Sequence, residues 1–220
     1  MIKAVFFDLD GTLYDRDELV CELVADQYDT FVGELPGISR ERFVARVLEM
    51  DDHGYGEKGE GYQRVVAEWQ LEPSLADRLC SHFWSAYDQH CCLSPDTATT
   101  LDALKAHGKR LGVITNGGTN RQRGKLAALG LLGIFDVVLI SEAEGVRKPS
   151  PEIFRRAVQR CAVSAGESVF VGDHPETDIS GARNAGLLPI WRHVPYWPLL
   201  EENVLTVHRL VDILPTCLRE

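Results

Sequence analysis

The sequence predicts an α/β protein: a doubly wound, mainly parallel sheet with an inserted, purely helical module. Three observations carry this. Ile2 to Phe7 is almost wholly apolar and rich in β-branched and aromatic residues, as suits a strand buried on both faces. From Ser94 onward, helical and extended patterns alternate, which is the signature of a parallel sheet with helices on both faces. Between them, residues 15–93 show helical periodicity and no convincing strand. The expected division is therefore a core domain of residues 1–14 and 94–220, interrupted by a helical domain of residues 15–93.

Within the insert, Leu19, Val20, Leu23, Val24, Tyr28 and Phe31 fall at helical spacing, and Leu35-Pro36-Gly37 ends that helix. Ser39 is placed to cap a second helix with Phe43, Val44, Val47 and Leu48 on one side. Asp51 to Gly61, with four glycines, reads as a polar loop. Tyr62 to Trp69 and Pro73 to about Tyr87 read as two more helices. In the core, helices are expected over Asp96–His107, Thr119–Leu129, Ser150 to about Cys161 and Asp178–Ala185, three of them closed by Gly108, Gly130 and Gly186. Strands are expected over Leu111–Thr115, Val137–Ile140, Ser168–Val171, Leu188–Trp191 and Val204–Val207, with a last helix from His208.

The 220 residues carry 45% hydrophobic and 25% charged side chains, an ordinary balance for a soluble globular protein. Asp8 and Asp10 interrupt the amino terminus before a signal-peptide core forms, and the six cysteines include no Cys-x-x-Cys pair. Reduced thiols in a cytoplasmic protein are expected. The longest apolar stretch, Leu129 to Ile140, is broken by Asp136 and too short to span a bilayer. The net charge of −10 argues against nucleic acid as a partner. Residues 15–93 hold 17 acidic and 7 basic side chains, so the whole excess lies in the insert. Acidic helix faces keeping a small domain soluble account for that excess most simply.

Several expected strands end on chemically capable residues. The first ends at Asp8 and Asp10, the second at Thr115-Asn116, and the loop after the third carries Lys148. The fourth ends at Gly172-Asp173, with Asp178 five residues on. In open α/β sheets ligands bind beyond the carboxyl ends of the strands, so these groups converge. Carboxylates without His or Cys partners select a hard cation, Mg²⁺ before Zn²⁺. Close like charges raise the pKa of at least one member unless a cation intervenes. One carboxylate can attack phosphorus while a second, given a raised pKa, passes a proton to the leaving oxygen. The lysine and hydroxyl can stabilise the transferring group. Singly, each has a structural alternative: Thr115 as a cap, Lys148 as a solvated loop charge, Asp178 as a helix-start acid. Their joint occurrence in order favours phosphoryl transfer.

Asp8-Leu9-Asp10-Gly11-Thr12, Thr115-Asn116, Lys148-Pro149 and Gly172-Asp173 with Asp178 resemble the four ordered motifs of the haloacid dehalogenase superfamily, over essentially the whole chain. The resemblance implies a Rossmann-like core, with Asp8 as nucleophile and Asp10 as general acid/base that also lends a backbone carbonyl to Mg²⁺. It implies Thr115, Asn116 and Lys148 as phosphate-binding residues, and Asp8, Asp10, Asp173 and Asp178 around the metal. The insert resembles a C1-type cap, the lid of that family. Dehalogenases carry Tyr, and phosphonatases Ala, where this chain has Asp10, so phosphate monoester hydrolysis through an aspartyl-phosphate is the activity implied.

A phosphomutase of the same superfamily shares every residue named, and a non-catalytic phosphate- and metal-binding module is the other rival. The expected partner is a small phosphorylated metabolite, with no nucleic acid and no membrane, and the protein is expected as a monomer or homodimer. His174, where the family more often has Ser or Thr, reads as shaping its loop. Residues 53–58 are as apt to face substrate as to be a surface connection, and the acidic insert is expected to disfavour polyanionic substrates. Trp191, Tyr196 and Trp197 read as packing under the last strand rather than as an exposed contact surface.

Overall fold

The computed structural model describes residues 1–198, 200 and 204–219. The chain divides into two compact units, one formed by Met1–Asp15 and Leu93–Glu220 and the other by Arg16–Cys92. Among the described residues no helix is long and apolar enough to cross a membrane, and no disulfide joins the six cysteines.

The Arg16–Cys92 unit consists of four helices, α1 (Arg16–Phe31), α2 (Arg40–Asp51), α3 (Lys58–Glu68) and α4 (Leu75–His90). The Ser39 hydroxyl accepts from Arg42 N and caps α2 as the sequence suggests. Leu19, Val20, Leu23 and Val24 of α1, Phe43 and Val47 of α2, Tyr62 and Val65 of α3, and Leu79 and Phe83 of α4 form its core. Gln27 is fully buried among them, and its amide is satisfied twice. It donates to Leu79 O at 2.8 Å and accepts from the Tyr62 hydroxyl at 2.7 Å.

The expected loop from Asp51 to Gly61 is largely absent. α2 runs through Asp51, a single turn covers Asp52–Gly54, and α3 begins at Lys58. The reason is electrostatic: Asp51 is buried, paired bidentately with Arg16 at 2.7 and 2.8 Å and also with Lys58. A charge run that looks solvated in sequence is thus an internal ion cluster. The chain reverses through left-handed Asp52, His53 and Gly54. At Gly56 a Cβ would lie 2.0 Å from the Met50 carbonyl oxygen, so only glycine closes this turn.

The other unit contains a six-stranded, wholly parallel sheet: β1 (Ala4–Phe7), β2 (Arg110–Thr115), β3 (Val137–Ile140), β4 (Ser168–Gly172), β5 (Leu188–Arg192) and β6 (Leu205–Val207). Its spatial order is β3-β2-β1-β4-β5-β6. The order reverses between β1 and β4, and the crevice beyond the carboxyl ends of those two strands is where such sheets bind ligands. All four residues of β1 are fully buried, as its apolar sequence requires.

Helices α5 (Pro95–Ala106), α6 (Thr119–Ala128), α7 (Ser141–Glu144), α8 (Pro151–Arg160), α9 (Gly181–Asn184) and α10 (Leu214–Cys217) flank the sheet. On one face Phe6, Ile114, Leu139 and Phe170 pack with Ile153, Phe154 and Ala157 of α8, and the Phe154 and Phe170 rings meet edge-on at 5.0 Å. Gly112 lies beneath this face, where an added Cβ would sit 2.6 Å from Phe6 and 2.7 Å from Val137. Gly112→Ala is therefore expected to cost about 1–3 kcal/mol by overpacking, read as a lowered urea midpoint at unchanged m-value.

Three core elements differ from the sequence expectation. The helix expected over Asp178–Ala185 starts earlier, as a wide π-type turn over Pro175–Ser180 that leads into α9. Pro175 at the first helical position and the His174 ring as cap pull its start forward. The final helix from His208 is a 3-10 turn over Leu210–Ile213 followed by α10, with Pro215 near its start, and the end of that expected helix at Glu220 lies outside the described residues. The third is α7, which opens the stretch that the sequence predicts as loop after β3. It is a single turn whose Glu142 carboxylate accepts from Thr119 N at 2.7 Å and so caps the neighbouring α6.

Candidate active site

Asp8 follows β1 directly, and its backbone N donates to Val171 O of β4 at 2.9 Å, which holds it at the switch point of the sheet. The chain then turns at Gly11, in left-handed conformation with φ 77°. A Cβ on Gly11 would fall 2.8 Å from the Asp173 carboxylate, so glycine is needed both for the turn and for the space. Fully buried Thr12 donates its hydroxyl to Asp173 Oδ1 at 3.2 Å. Asp173 directly follows β4, with its carbonyl held by Trp191 Nε1 at 2.7 Å and its carboxylate reached by the Tyr196 hydroxyl at 3.4 Å. Tyr196 and Trp197, expected to pack under the last strand, instead meet the site loop: the Trp197 ring lies 4.4 Å from that of His174.

Gly172, just before Asp173, has a parallel role. A Cβ there would meet the Asp178 carboxylate at 2.5 Å. Asp178 Oδ2 accepts from His174 N at 3.1 Å, and His174 Nδ1 in turn accepts from Glu176 N and Thr177 N. His174 therefore shapes the loop as a capping acceptor, in the neutral form favoured by the burial that lowers its pKa.

Asp8, Asp173 and Asp178 each present a carboxylate oxygen, all within 4.8 Å of one another. Lys148, only 2% exposed, places Nζ 2.6 Å from Asp8 Oδ1 and 2.7 Å from Asp178 Oδ1. Its loop is pinned by Asn116, whose Nδ2 donates to Lys148 O at 3.0 Å and whose Oδ1 accepts from Lys148 N at 2.9 Å. Thr115, 1% exposed, ends β2 beside it. The sheet thus brings Asp8, Thr115, Asn116, Lys148, Asp173 and Asp178 to one set of strand ends.

Three carboxylates facing one ammonium leave the cluster electron-rich. Burial, followed by the charge of Asp178, pushes Asp8 up to about 7 even though Lys148 opposes the shift. Burial and the charges of Asp178 and Asp8 likewise raise Asp173 well above its ordinary value. Burial by itself would lower Lys148, but the charges of Asp178 and Asp8 outweigh it and raise its pKa. An all-oxygen donor set in which burial and neighbouring carboxylates push Asp8 and Asp173 toward protonation fits a hard divalent cation, which would take the place of those protons.

Asp10 stands apart. Lys125 Nζ lies 2.6 Å from its Oδ1, Gln122 Nε2 donates to its Oδ2 at 2.8 Å, and the Tyr14 hydroxyl donates to Oδ1. Burial would raise this group, but the charge of Lys125 and the three hydrogen bonds outweigh it and hold Asp10 below the usual carboxylate range. The proton-transfer role called for a raised pKa at Asp10. The pair does split as like charges should, but Asp8 is the raised member, because burial and the charge of Asp178 outweigh Lys148, which it shares with Asp178.

Gln122, Lys125 and Tyr14 carried no role in the sequence reading. A signal for two of them exists: residues 122, 125, 126 and 129 form the inward stripe of α6, and a Gln and a Lys occupy its first two places. Polar residues on a buried stripe beside strand-end acids require partners, and here they find Asp10.

The haloacid dehalogenase-like hydrolase model matches residues 2–186. Among named relatives, the chain is 33% identical to glyceraldehyde 3-phosphate phosphatase of Methanopyrus kandleri, over 86% of this chain and 83% of that protein. It is also 33% identical to ribulose-1,5-bisphosphate 5-phosphatase of Halopiger xanaduensis, over 85% and 83%. Its fold is similar to that of a HAD phosphatase from Thermococcus onnurineus, with TM-score 0.68 and 28% identity over 98% of this chain and 97% of that one. The family match spans both the β1 and β4 motifs that build the site, and the chain belongs to the haloacid dehalogenase-like hydrolases.

Proposed function

We propose that this protein is a Mg²⁺-dependent phosphatase that hydrolyses small phosphate monoesters through an aspartyl-phosphate on Asp8. The observation that carries the reading is the carboxylate trio of Asp8, Asp173 and Asp178 with Lys148 bridging Asp8 and Asp178 at the sheet's switch point. A Mg²⁺ ion held by Asp8, Asp173, Asp178 and the Asp10 carbonyl would neutralise charge on the phosphoryl group. Lys148 and Thr115 hold the phosphoryl oxygens, and Asn116 contributes by fixing the lysine loop. An Asp8 carboxylate oxygen forms a bond to phosphorus as the ester P–O bond breaks, and Asp10, a carboxylate at rest, takes the proton of the incoming monoanionic ester and passes it to the leaving oxygen. Water then attacks the phosphorus, Asp10 takes back a proton, and the bond from phosphorus to Asp8 breaks to release phosphate.

The names of the relatives, a triose-phosphate and a pentose-bisphosphate phosphatase, support a phosphorylated sugar or similar short metabolite as substrate. The helical unit is read as the C1-type cap, and its acidity favours monophosphates over bisphosphates. A cytoplasmic monomer or homodimer completes the reading.

Phosphate release from a panel of sugar phosphates, with Mg²⁺ and after chelation, tests it. Release from no ester in either condition would overturn it, and isomerised product without free phosphate would favour a mutase. Asp10→Asn is expected to lower kcat by about 10²-fold or more with alkyl phosphates and by less with p-nitrophenyl phosphate, whose leaving group needs no proton. Equal losses on both substrates would remove Asp10 from the proton-transfer role.

A further inference from the structure

Gln122 lies on the first turn of α6 and is 2% exposed. Its Nε2 has two protons and two partners: Asp10 Oδ2 at 2.8 Å and Thr115 Oγ1 at 2.6 Å. The orientation of the amide follows from chemistry. Asp10, paired with Lys125 at 2.6 Å, is a carboxylate and only accepts, so the amide must turn its NH₂ toward it. The same NH₂ then donates to Thr115, whose oxygen is an acceptor in this contact. The hydroxyl proton of Thr115 is left pointing elsewhere, and among the described residues it has no other hydrogen bond.

We propose that Gln122 is a positioning residue for phosphoryl transfer: its amide ties Asp10 to Thr115 and fixes the Thr115 hydroxyl as a donor toward the phosphoryl group. The inference rests on the hydrolase reading above. Gly117 supports it from behind. It has φ 151°, and a Cβ there would come within 3.0 Å of Gln122 Cγ and Cδ, so glycine leaves the amide stem its place. Lys125, one turn along the same stripe, keeps Asp10 an acceptor and thereby keeps the amide from flipping. The result is a one-way chain of donors, from Gln122 to Thr115 and from Thr115 to the substrate.

Two substitutions separate this role from simple packing. Gln122→Met keeps the volume and removes both donors. Gln122→Glu keeps the shape but can only accept, so Thr115 must donate to it and loses its proton for the phosphoryl group. Gln122→Glu is expected to lower kcat/KM by about 10²-fold, and by more than Gln122→Met does. Calorimetry with inorganic phosphate and Mg²⁺ gives a readout free of turnover. Gln122→Met is expected to weaken phosphate binding by about 10-fold in the wild-type background but by less than about 2-fold beside Thr115→Val, because the two residues act in series.

Equal weakening in both backgrounds, or Gln122→Glu matching the wild type, would overturn the inference while leaving the hydrolase reading intact. A wild-type protein that releases phosphate from no ester would overturn that reading, and the calorimetric pair would still decide the role of Gln122. A wild-type protein that fails to bind phosphate overturns both.

Discussion

Asp8→Asn is expected to reduce phosphate release by on the order of 10⁴-fold or more, because the amide offers phosphorus no anionic oxygen and no covalent intermediate forms. Rapid quench of the wild-type enzyme with ³²P-labelled substrate should trap label on protein, and the variant should trap none. The same substitution carries a stability signature of opposite sign. In the folded metal-free protein Asp8 is raised from its ordinary 3.8 to about 7, so the native state holds this proton more tightly than the unfolded chain. The stability it contributes is fully present below about pH 4 and is lost as pH rises through about 7. Removing the ionisable group should flatten that fall. Chelated Asp8→Asn protein should melt higher than chelated wild type at pH 8, and the difference should shrink steadily toward pH 4. A variant with normal turnover would displace Asp8 as the nucleophile.

Lys148→Met is expected to be the most destabilising single change at the site, at about 3–5 kcal/mol in chelated protein near pH 8. Lys148 is 2% exposed, and its ammonium lies within 2.7 Å of two carboxylates, so truncation leaves buried negative charge without its partner. Two further observations distinguish charge from packing. Acid should relieve the defect, because protonated carboxyls need no cation. Millimolar Mg²⁺ at pH 8 should relieve part of it by mass action. Urea unfolding at two pH values, with and without Mg²⁺, reads both. A loss independent of pH and metal would mean that Lys148 matters only as a packed stem.

The sheet was legible because parallel strands covered on both faces read as unbroken apolar runs. Ala4–Phe7 and Ser168–Gly172 leave few alternatives, and each is followed directly by an acid. The candidate site followed from the sheet: once Asp8, Thr115 and Asp173 stand at strand ends, with Lys148 in the loop beyond β3, the switch point gathers them. Three features were not legible. Residues 51–61 look solvated because burial of Asp51 depends on Arg16, 35 residues away, which no local pattern displays. The early start of the helix near residue 178 depends on a histidine ring acting as a cap, a role its composition does not announce. The environment of Asp10 depends on α6 turning Gln122 and Lys125 inward, so the direction of its pKa follows from tertiary placement and not from the neighbouring Asp8.

The order of the strands also bears on how the molecule comes into being. β1 is synthesised first yet sits mid-sheet, and its neighbours β2 and β4 lie more than a hundred residues further along the chain. Until Ser168–Gly172 has left the ribosome, the strand leading to Asp8 keeps one flank open, and the carboxylate trio lacks Asp173 and Asp178. Such distant pairing slows folding and leaves a sticky apolar ribbon waiting. Of the described strands, β1 thus waits longest for both of its neighbours.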